Sequence, residues 1–201
     1  MPLLVPPTVP VGSLAAHPQP SLPAGGGVRL RPWAVRDAPA VMDAYQDPEI
    51  QRWHVRRADS VAEAAEWIAA WQAGWAAESE AHWAVVDAGT DALLGRAALK
   101  ALNLADGSAE VAYWTAPAAR GSGVCPRAVE AMASWAFGTG FRRLVLEHAV
   151  ANRASCRVAE KTGFAPEGVH RSAWLQTDGR HDVHTHARLN DTAPPVLEGR
   201  G

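Results

Sequence analysis

The stretch that decides the fold runs from Ser108 to Val124 and reads SAEVAYWTAPAARGSGV. Its first half, up to Thr115, is rich in the β-branched and aromatic residues that favour a strand. Val124 then opens a segment, 124–137, in which apolar residues recur at helical spacing. The connection Arg120-Gly121-Ser122-Gly123 is therefore predicted to join a strand directly to the N-terminus of a helix.

This connection has the chemistry of an anion site. Glycines let backbone N–H groups converge without obstruction by a Cβ atom, and the positive end of the helix dipole adds to their effect. The predicted phosphate cradle consists of Gly121, Ser122, Gly123, Val124 and Cys125, with Arg120 supplying a guanidinium. An ordinary glycine loop is the alternative. Pro126 breaks the G-x-G-x-x-G fingerprint, and the Gly-Lys-Ser/Thr ending of a P-loop is absent, so neither nucleotide motif fits.

Periodicity and turn signals on both sides of this loop predict one α/β (α+β) domain over 28–190. The expected strands are 28–33, 82–87, 92–102, 108–115, 143–150, 165–175 and 182–189, and the expected helices are 38–46, 61–78, 124–137 and 153–162. These elements make a central mixed, mostly antiparallel sheet of about seven strands with four helices. The fourth and fifth strands should be parallel and joined by a right-handed crossover.

Both ends of the chain are expected to be flexible tails. Residues 1–27 hold seven prolines and four glycines and no charged side chain, so we expect them to bury too little apolar surface to become ordered. Residues 191–201 read as a second frayed end.

Composition excludes several classes of function. The chain of 201 residues has 21 acidic against 19 basic residues, without the basic excess of a nucleic-acid or membrane-surface binder. No uninterrupted apolar window reaches the ~18 residues of a membrane span. The two cysteines, Cys125 and Cys156, form no disulfide framework, which together with the lack of a targeting segment favours a cytoplasmic location.

A second signal lies downstream, where residues 152–164 read NRASCRVAEKTGF. An asparagine caps a helix, and a Gly-Phe turn follows it. With the glycine loop and the segments LRPW (30–33), DPEI (47–50) and EVAYW (110–114), the chain resembles the Gcn5-related N-acetyltransferase (GNAT) superfamily, and within it the RimJ/RimL branch. These segments occur in the family's order over about 28–190.

The resemblance implies a GNAT fold in which the parallel fourth and fifth strands splay apart. It also implies acetyl transfer from acetyl-CoA directly to a primary amine. The pantetheine arm would lie in the gap against backbone groups of Trp114 and Thr115, with Asn152 beside it and the diphosphate on the glycine loop. By the same resemblance Glu110 is the candidate base and Ser155 the candidate acid. A solvated or ion-paired carboxylate is the alternative for Glu110, and a first-turn hydrogen bond is the alternative for Ser155.

The acceptor is open at this stage. A protein N-terminal α-amine is the first expectation, and a small-molecule amine or a non-catalytic acyl-CoA sensor is the alternative. The nine tryptophans suggest an aromatic pocket, for which the candidates are Trp33, Trp71, Trp75 and Trp83, although aromatic stripes on helices are usually core. Homodimerisation is common in the family.

Histidines near the C-terminus form the pattern His181-x-x-His184-x-His186, in which His184 and His186 share one face of a strand. No third ligand is apparent from spacing, so we expect ordinary histidines and no metal. Cys125 lies at a predicted helix N-terminus, but the family reacts without an acyl-cysteine, so we expect no nucleophile there.

Overall fold

The computed structural model describes residues 4–190. Eight strands occupy Leu22–Gly25 (β1), Val28–Pro32 (β2), Ala81–Asp87 (β3), Leu93–Asn103 (β4), Ser108–Thr115 (β5), Arg143–Ala149 (β6), Ala165–Gln176 (β7) and Gly179–Leu189 (β8). Five helices occupy Ala38–Ala44 (α1), Pro48–His54 (α2), Val61–Ala76 (α3), Val124–Gly138 (α4) and Arg153–Lys161 (α5). None of the helices within residues 4–190 has the length and apolar character needed to cross a lipid bilayer.

All eight strands form one sheet in the order β1-β2-β3-β4-β5-β6-β8-β7. Every neighbouring pair is antiparallel except β5 and β6, so the expected mixed sheet with one parallel crossover is confirmed. The sheet has one strand and the fold one helix more than expected. The additional helix, α2, begins at Asp47-Pro48, directly after the expected helix 38–46. The Asp47 carboxylate accepts a hydrogen bond from the Ile50 N–H at 3.0 Å, and Pro48 occupies the first helical turn.

The segment before β2 is packed against the domain, contrary to the expected flexible tail. Val9 is fully buried, and its N–H donates to the Leu104 carbonyl at 2.9 Å. The Glu78 carboxylate accepts hydrogen bonds from the N–H groups of Gly12 and Leu14 at 2.6 and 2.7 Å. Composition could not predict this packing, because contacts with residues far away in the sequence hold the N-terminal segment in place. The predicted second tail, 191–201, lies outside the described residues.

Two hydrophobic cores cover the two faces of the sheet. One lies under α4 and α5 and includes Val129, Met132 and Phe141. The other lies under α1 and α3 and includes Val41 and Ile68.

A cleft begins where β5 and β6 separate. The two strands pair only from Ser108–Val111 to Arg143–Leu146, and β5 then continues along β4 alone. Gly95 on β4 permits this close pairing, because a Cβ atom there would lie 2.4 Å from the Trp114 carbonyl oxygen. The carboxyl half of β5 therefore keeps an edge that β6 does not cover.

Candidate functional site

A cavity of about 420 Å³ opens at this edge, between the end of β5, the glycine loop and the first turns of α5. Every residue predicted to bind the acyl donor lines this cavity except Ser122: Trp114, Thr115, Arg120, Gly121, Gly123, Val124, Cys125 and Asn152. The structure therefore brings together two motifs that are about 30 residues apart in the chain.

The glycine loop is built as a cradle of backbone N–H groups. Gly121 and Gly123 have φ angles of +78° and +77°, a conformation that residues with a Cβ rarely adopt. Ser122 takes no part through its side chain, because its hydroxyl turns back and donates to the Ala119 carbonyl at 2.7 Å. The first N–H groups of α4 follow and point out of the helix end.

The basic residues around the cradle are not only the one predicted: Arg120 pairs with a carboxylate, and two further basic residues line the cavity. Arg120 is ion-paired with Asp47, the cap of α2, so the pair ties the loop to that helix. Burial alone would raise the pKa of Asp47, but its hydrogen bonds with Arg120 and with the Ile50 N–H lower the pKa below its usual value. Arg157 and Lys161 on α5 line the same cavity and were not predicted. Their spacing of four residues on one helix face was the signal that could have found them.

Asn152 and Ser155 form the N-terminus of α5. The Asn152 Oδ1 accepts a hydrogen bond from the Ser155 N–H at 3.1 Å, which caps the helix. This bond involves the backbone of Ser155, so the serine hydroxyl is still able to donate elsewhere. Ser155 is only 9% exposed and lines the cavity.

The open edge of β5 belongs to Tyr113 and Thr115. The Ala116 N–H bonds to Leu94 on β4 at 2.8 Å, and alternation along a strand turns the Trp114 backbone to the same side. The Tyr113 carbonyl instead faces the gap and accepts from His54 Nε2 at 3.2 Å. Trp114, which we predicted as a backbone partner, lines the cavity but turns its backbone toward β4, and the open backbone edge belongs to Tyr113 instead.

Two buried polar atoms of residues that line this first cavity lack hydrogen-bond partners of good geometry: the Tyr113 hydroxyl, which lies beside Ser155, and Trp114 Nε1. Burial raises the pKa of Tyr113, so the phenol is neutral and is a donor. Burial also raises the pKa of Cys125 to about 12, which leaves a protonated thiol of low reactivity. Tyr113 is thus an additional donor that sequence reasoning missed.

A second cavity of about 240 Å³ lies on the other side of the same gap. It contains the predicted base Glu110, whose carboxylate is 36% exposed and lies 3.9 Å from Lys100 Nζ. Glu147 also lines this cavity and accepts a hydrogen bond from Thr185 Oγ1 at 2.9 Å. The two cavities share five wall residues, namely Trp53, His54, Tyr113, Asn152 and Ser155. They are therefore two lobes of one cleft, which meet beside Ser155.

His54 stands at this junction as a neutral ring. Burial, with a smaller contribution from the positive charge of Arg96, lowers the pKa of His54 to about 4. Because a carbonyl oxygen only accepts, the Nε2 atom carries the hydrogen that binds Tyr113. His54 therefore holds the open edge of β5 in place.

The four tryptophans predicted to form an acceptor pocket line neither lobe. Trp33 and Trp71 pack against each other in the core under α1 and α3, with ring centroids 5.0 Å apart. Trp75 and Trp83 lie in the other core, and their indole N–H groups donate to the carbonyls of His17 and Pro20 at 3.0 and 2.8 Å. That prediction is wrong: these rings are core residues, and two of them hold the N-terminal segment.

Comparisons with known proteins agree with this geometry. Residues 28–165 match the acetyltransferase (GNAT) domain family. A ribosomal-protein-serine acetyltransferase of Escherichia coli strain K12 is 30% identical over 103 residues, which cover 51% of this chain and 58% of the relative. The chain thus matches less than two thirds of the length of that curated relative.

Solved structures share the fold. An acetyltransferase of Salmonella typhimurium that modifies the N-terminal serine of a ribosomal subunit protein superposes with a TM-score of 0.77 at 20% identity, over 86% of this chain and 100% of that one. RimL, a ribosomal-protein alpha-N-acetyltransferase solved in complex with coenzyme A, gives a TM-score of 0.78 at 21% identity, over 87% and 100% of the two chains. These likenesses confirm the expected fold.

Proposed function

Because the chain belongs to the GNAT acetyltransferase domain family, we propose that it transfers the acetyl group of acetyl-CoA to a primary amine, and that this amine is the α-amine of a protein N-terminus. The observation that carries the proposal is the two-lobed cleft at the separation of β5 and β6. One lobe has the donors for a long anionic thioester, and the other has carboxylates for a cationic acceptor.

The donor lobe fits acetyl-CoA on three counts. The left-handed glycines expose backbone N–H groups, and Arg157 and Lys161 add positive charge around them. The uncovered edge at Tyr113 and Thr115 can pair with an extended amide chain as an added strand would. Acetyl-CoA supplies the activated acetyl thioester when it is bound.

The acceptor lobe supports an α-amine. Two carboxylates, Glu110 and Glu147, line it against one ammonium group, Lys100, and the excess negative charge attracts an amine in its cationic form. An α-amine has a pKa near ~8, so its deprotonation at neutral pH costs only about 1 kcal/mol. A half-exposed carboxylate such as Glu110 is a sufficient base for that step, directly or through a water molecule.

The groups that can donate a proton to the departing CoA thiolate lie at the junction of the two lobes. The Ser155 hydroxyl and the Tyr113 phenol both lie there and can donate to a departing sulfur atom. A thiolate leaves without help, so we expect removal of either donor to slow turnover by less than removal of the base does.

The residues that line the cleft bear on which amine is the acceptor. The four predicted tryptophans form no pocket, but Trp53 and Trp174 line the acceptor lobe together with its carboxylates. A small aromatic amine is therefore the second candidate, and the likeness to ribosomal-protein acetyltransferases favours a protein N-terminus. The proposed partners are acetyl-CoA and a protein N-terminus. We further propose a cytoplasmic location, from the low cysteine content, and a homodimer, from the resemblance.

The test follows release of CoA thiol from acetyl-CoA. We expect turnover with a peptide that has a free N-terminal serine or alanine. We expect none with the same peptide when its N-terminus is blocked and it carries an internal lysine. Turnover only with small amines would move the assignment to the small-molecule class. Tight CoA binding without release to any amine would make the protein a sensor.

Glu110→Gln tests the base. We expect kcat to fall by about 10²–10⁴-fold, with no change in the dissociation constant for CoA. Glu147→Gln is the matched control, because Glu147 lines the same lobe but its carboxylate accepts from Thr185. Equal losses in the two variants would contradict the assignment of Glu110.

A further inference from the structure

Four side chains that can bind a metal converge on the face of the sheet covered by α5. His148 on β6 lies directly opposite His184 on β8, and His186 follows two residues later on the same face. Cys156 comes from the first turn of α5. One ligand atom from each of the four lies within 4.8 Å of all the others.

Hydrogen bonds fix the orientation of two of these rings. His148 Nδ1 donates to the Ala149 carbonyl at 2.9 Å, and His186 Nδ1 donates to the Phe164 carbonyl at 3.3 Å. A carbonyl oxygen only accepts, so each Nδ1 carries the hydrogen and each Nε2 presents a lone pair. The two Nε2 atoms face each other at 3.3 Å. Two lone pairs repel at this distance, so an electron-poor atom belongs between them.

Two of the six ligand–ligand separations match a tetrahedral ion. With Zn–N bonds of about 2.0–2.1 Å and a Zn–S bond of about 2.3 Å, a regular tetrahedron has N–N edges of about 3.3–3.4 Å and N–S edges of about 3.5–3.6 Å. The Nε2 atoms of His148 and His186 are 3.3 Å apart, and Cys156 Sγ lies 3.6 Å from His184 Nδ1. These two separations are already those of edges of such a site.

A proton between the two rings accounts for fewer of the observations. His148 and His186 are 3% and 5% exposed, and within residues 4–190 no carboxylate hydrogen-bonds to either ring. An imidazolium there would be a buried charge without a counter-ion. A divalent ion has the Cys156 thiolate as an anionic ligand and also explains why His184 joins the group.

We propose that His148, Cys156, His184 and His186 form a tetrahedral zinc site. All four positions are filled by protein ligands, as in closed structural sites, so the ion fixes the fold and holds no reactive water. It would join the first turn of α5, which includes Ser155, to β6 and β8. This proposal does not depend on the proposed function, and it replaces the expectation of no metal. His181, the third histidine of the sequence pattern, takes no part and pairs with Asp178 at 2.6 Å.

The experiment uses the untagged full chain after treatment with a chelator, with folding checked by circular dichroism. We expect one Zn²⁺ per chain in a titration against a chromogenic chelator, and a rise in Tm on adding Zn²⁺. With Co²⁺ as the probe we expect the visible bands of tetrahedral coordination together with a thiolate-to-metal charge-transfer band.

One ligand variant and two control variants distinguish this site from nonspecific metal binding. Cys156→Ser should remove the charge-transfer band and weaken Zn²⁺ binding by at least about 100-fold, more than the loss of a residue that merely orients a ligand. Cys125→Ser is the matched cysteine control, and His181→Ala is the matched histidine control. Both should keep the full band and affinity.

A folded wild-type chain that takes up neither ion, or that binds Co²⁺ without a thiolate band, overturns the proposal. So does metal binding that Cys156→Ser leaves unchanged. If Cys156→Ser fails to fold, His184→Gln at the half-buried ligand and the wild-type spectrum decide the question.

Discussion

Gly123 is the position at which charge can be tested separately from shape in the proposed diphosphate cradle. It precedes α4 with a φ of +77°, and a Cβ atom there would lie 3.0 Å from Arg127 Nη1, the end of a flexible side chain. Aspartate therefore fits once Arg127 moves, and it places a carboxylate beside the cradle. Asparagine has the same shape, carries no charge and tolerates this backbone conformation, so Gly123→Asn is the matched control.

The expected penalty follows from Coulomb's law. Two unit negative charges about 6 Å apart repel by about 0.7 kcal/mol in water and by about 2.8 kcal/mol at an effective dielectric constant of about 20. The loop lies at the rim of an open cleft, and Arg127 offsets part of the added charge. We therefore expect Gly123→Asp to bind CoA about 10-fold more weakly than Gly123→Asn, which corresponds to about 1.4 kcal/mol.

Calorimetry with two ligands provides the measurement. The difference between the variants should appear with CoA, shrink at high salt, and vanish with pantetheine, which lacks the diphosphate. The two variants share the same backbone strain, so their Tm values should agree. Equal affinity of Gly123→Asp and Gly123→Asn for CoA would refute the placement of the diphosphate on this loop.

Two further predictions concern stability. Burial lowers the pKa of His82 to about 4, and its Nδ1 accepts two hydrogen bonds from Arg96. His82 is therefore neutral in the folded state, whereas the same side chain in the unfolded chain binds a proton below about pH 6.5. Between pH 6.5 and 4, this group should therefore lower the free energy of unfolding by roughly 1.4 kcal/mol for each pH unit of acidification. Urea titrations at several pH values should show that the free energy of unfolding depends less steeply on pH in His82→Gln than in the wild type. An unchanged pH dependence would contradict the assignment. Val9→Ala should cost about 2 kcal/mol and lower Tm by roughly 4–8 °C, because Val9 is fully buried, whereas Val11→Ala, at a residue 76% exposed, should change Tm little. Similar Tm values for both valine variants would mean that the N-terminal segment does not pack as described.

Local signals predicted much of this fold because they act within a few residues. Ser60 caps α3 by accepting from the Glu63 N–H at 3.1 Å, an interaction between residues only three positions apart. Asn152 caps α5 in the same way. The conformation of the glycine loop could be predicted for a similar reason, because the glycines that favour left-handed backbone lie directly before the residues that begin the helix. The strand order could be anticipated only in part, from the change of pattern after Thr115.

The N-terminal segment shows what composition alone cannot decide. Proline and glycine lower the amount of apolar surface, but Val9 and Leu14 still find places in the core. The acceptors and donors that hold the segment, Glu78, Trp75 and Trp83, lie more than 55 residues away in the chain. The same contacts explain why two of the tryptophans were misassigned, because a tryptophan that holds a chain segment and one that lines a pocket look alike in sequence.

The histidines make the same point about sheet register. Alternation along β8 is enough to place His184 and His186 on one face. It cannot show that β6 is their neighbour, nor that His148 stands directly opposite His184. Cys156 joins them only because α5 crosses that face, and its distance in sequence from the histidines resembles no metal motif. A metal site assembled from β6, α5 and β8 is therefore a property of the tertiary fold, and the Co²⁺ spectrum of the whole chain tests that arrangement directly.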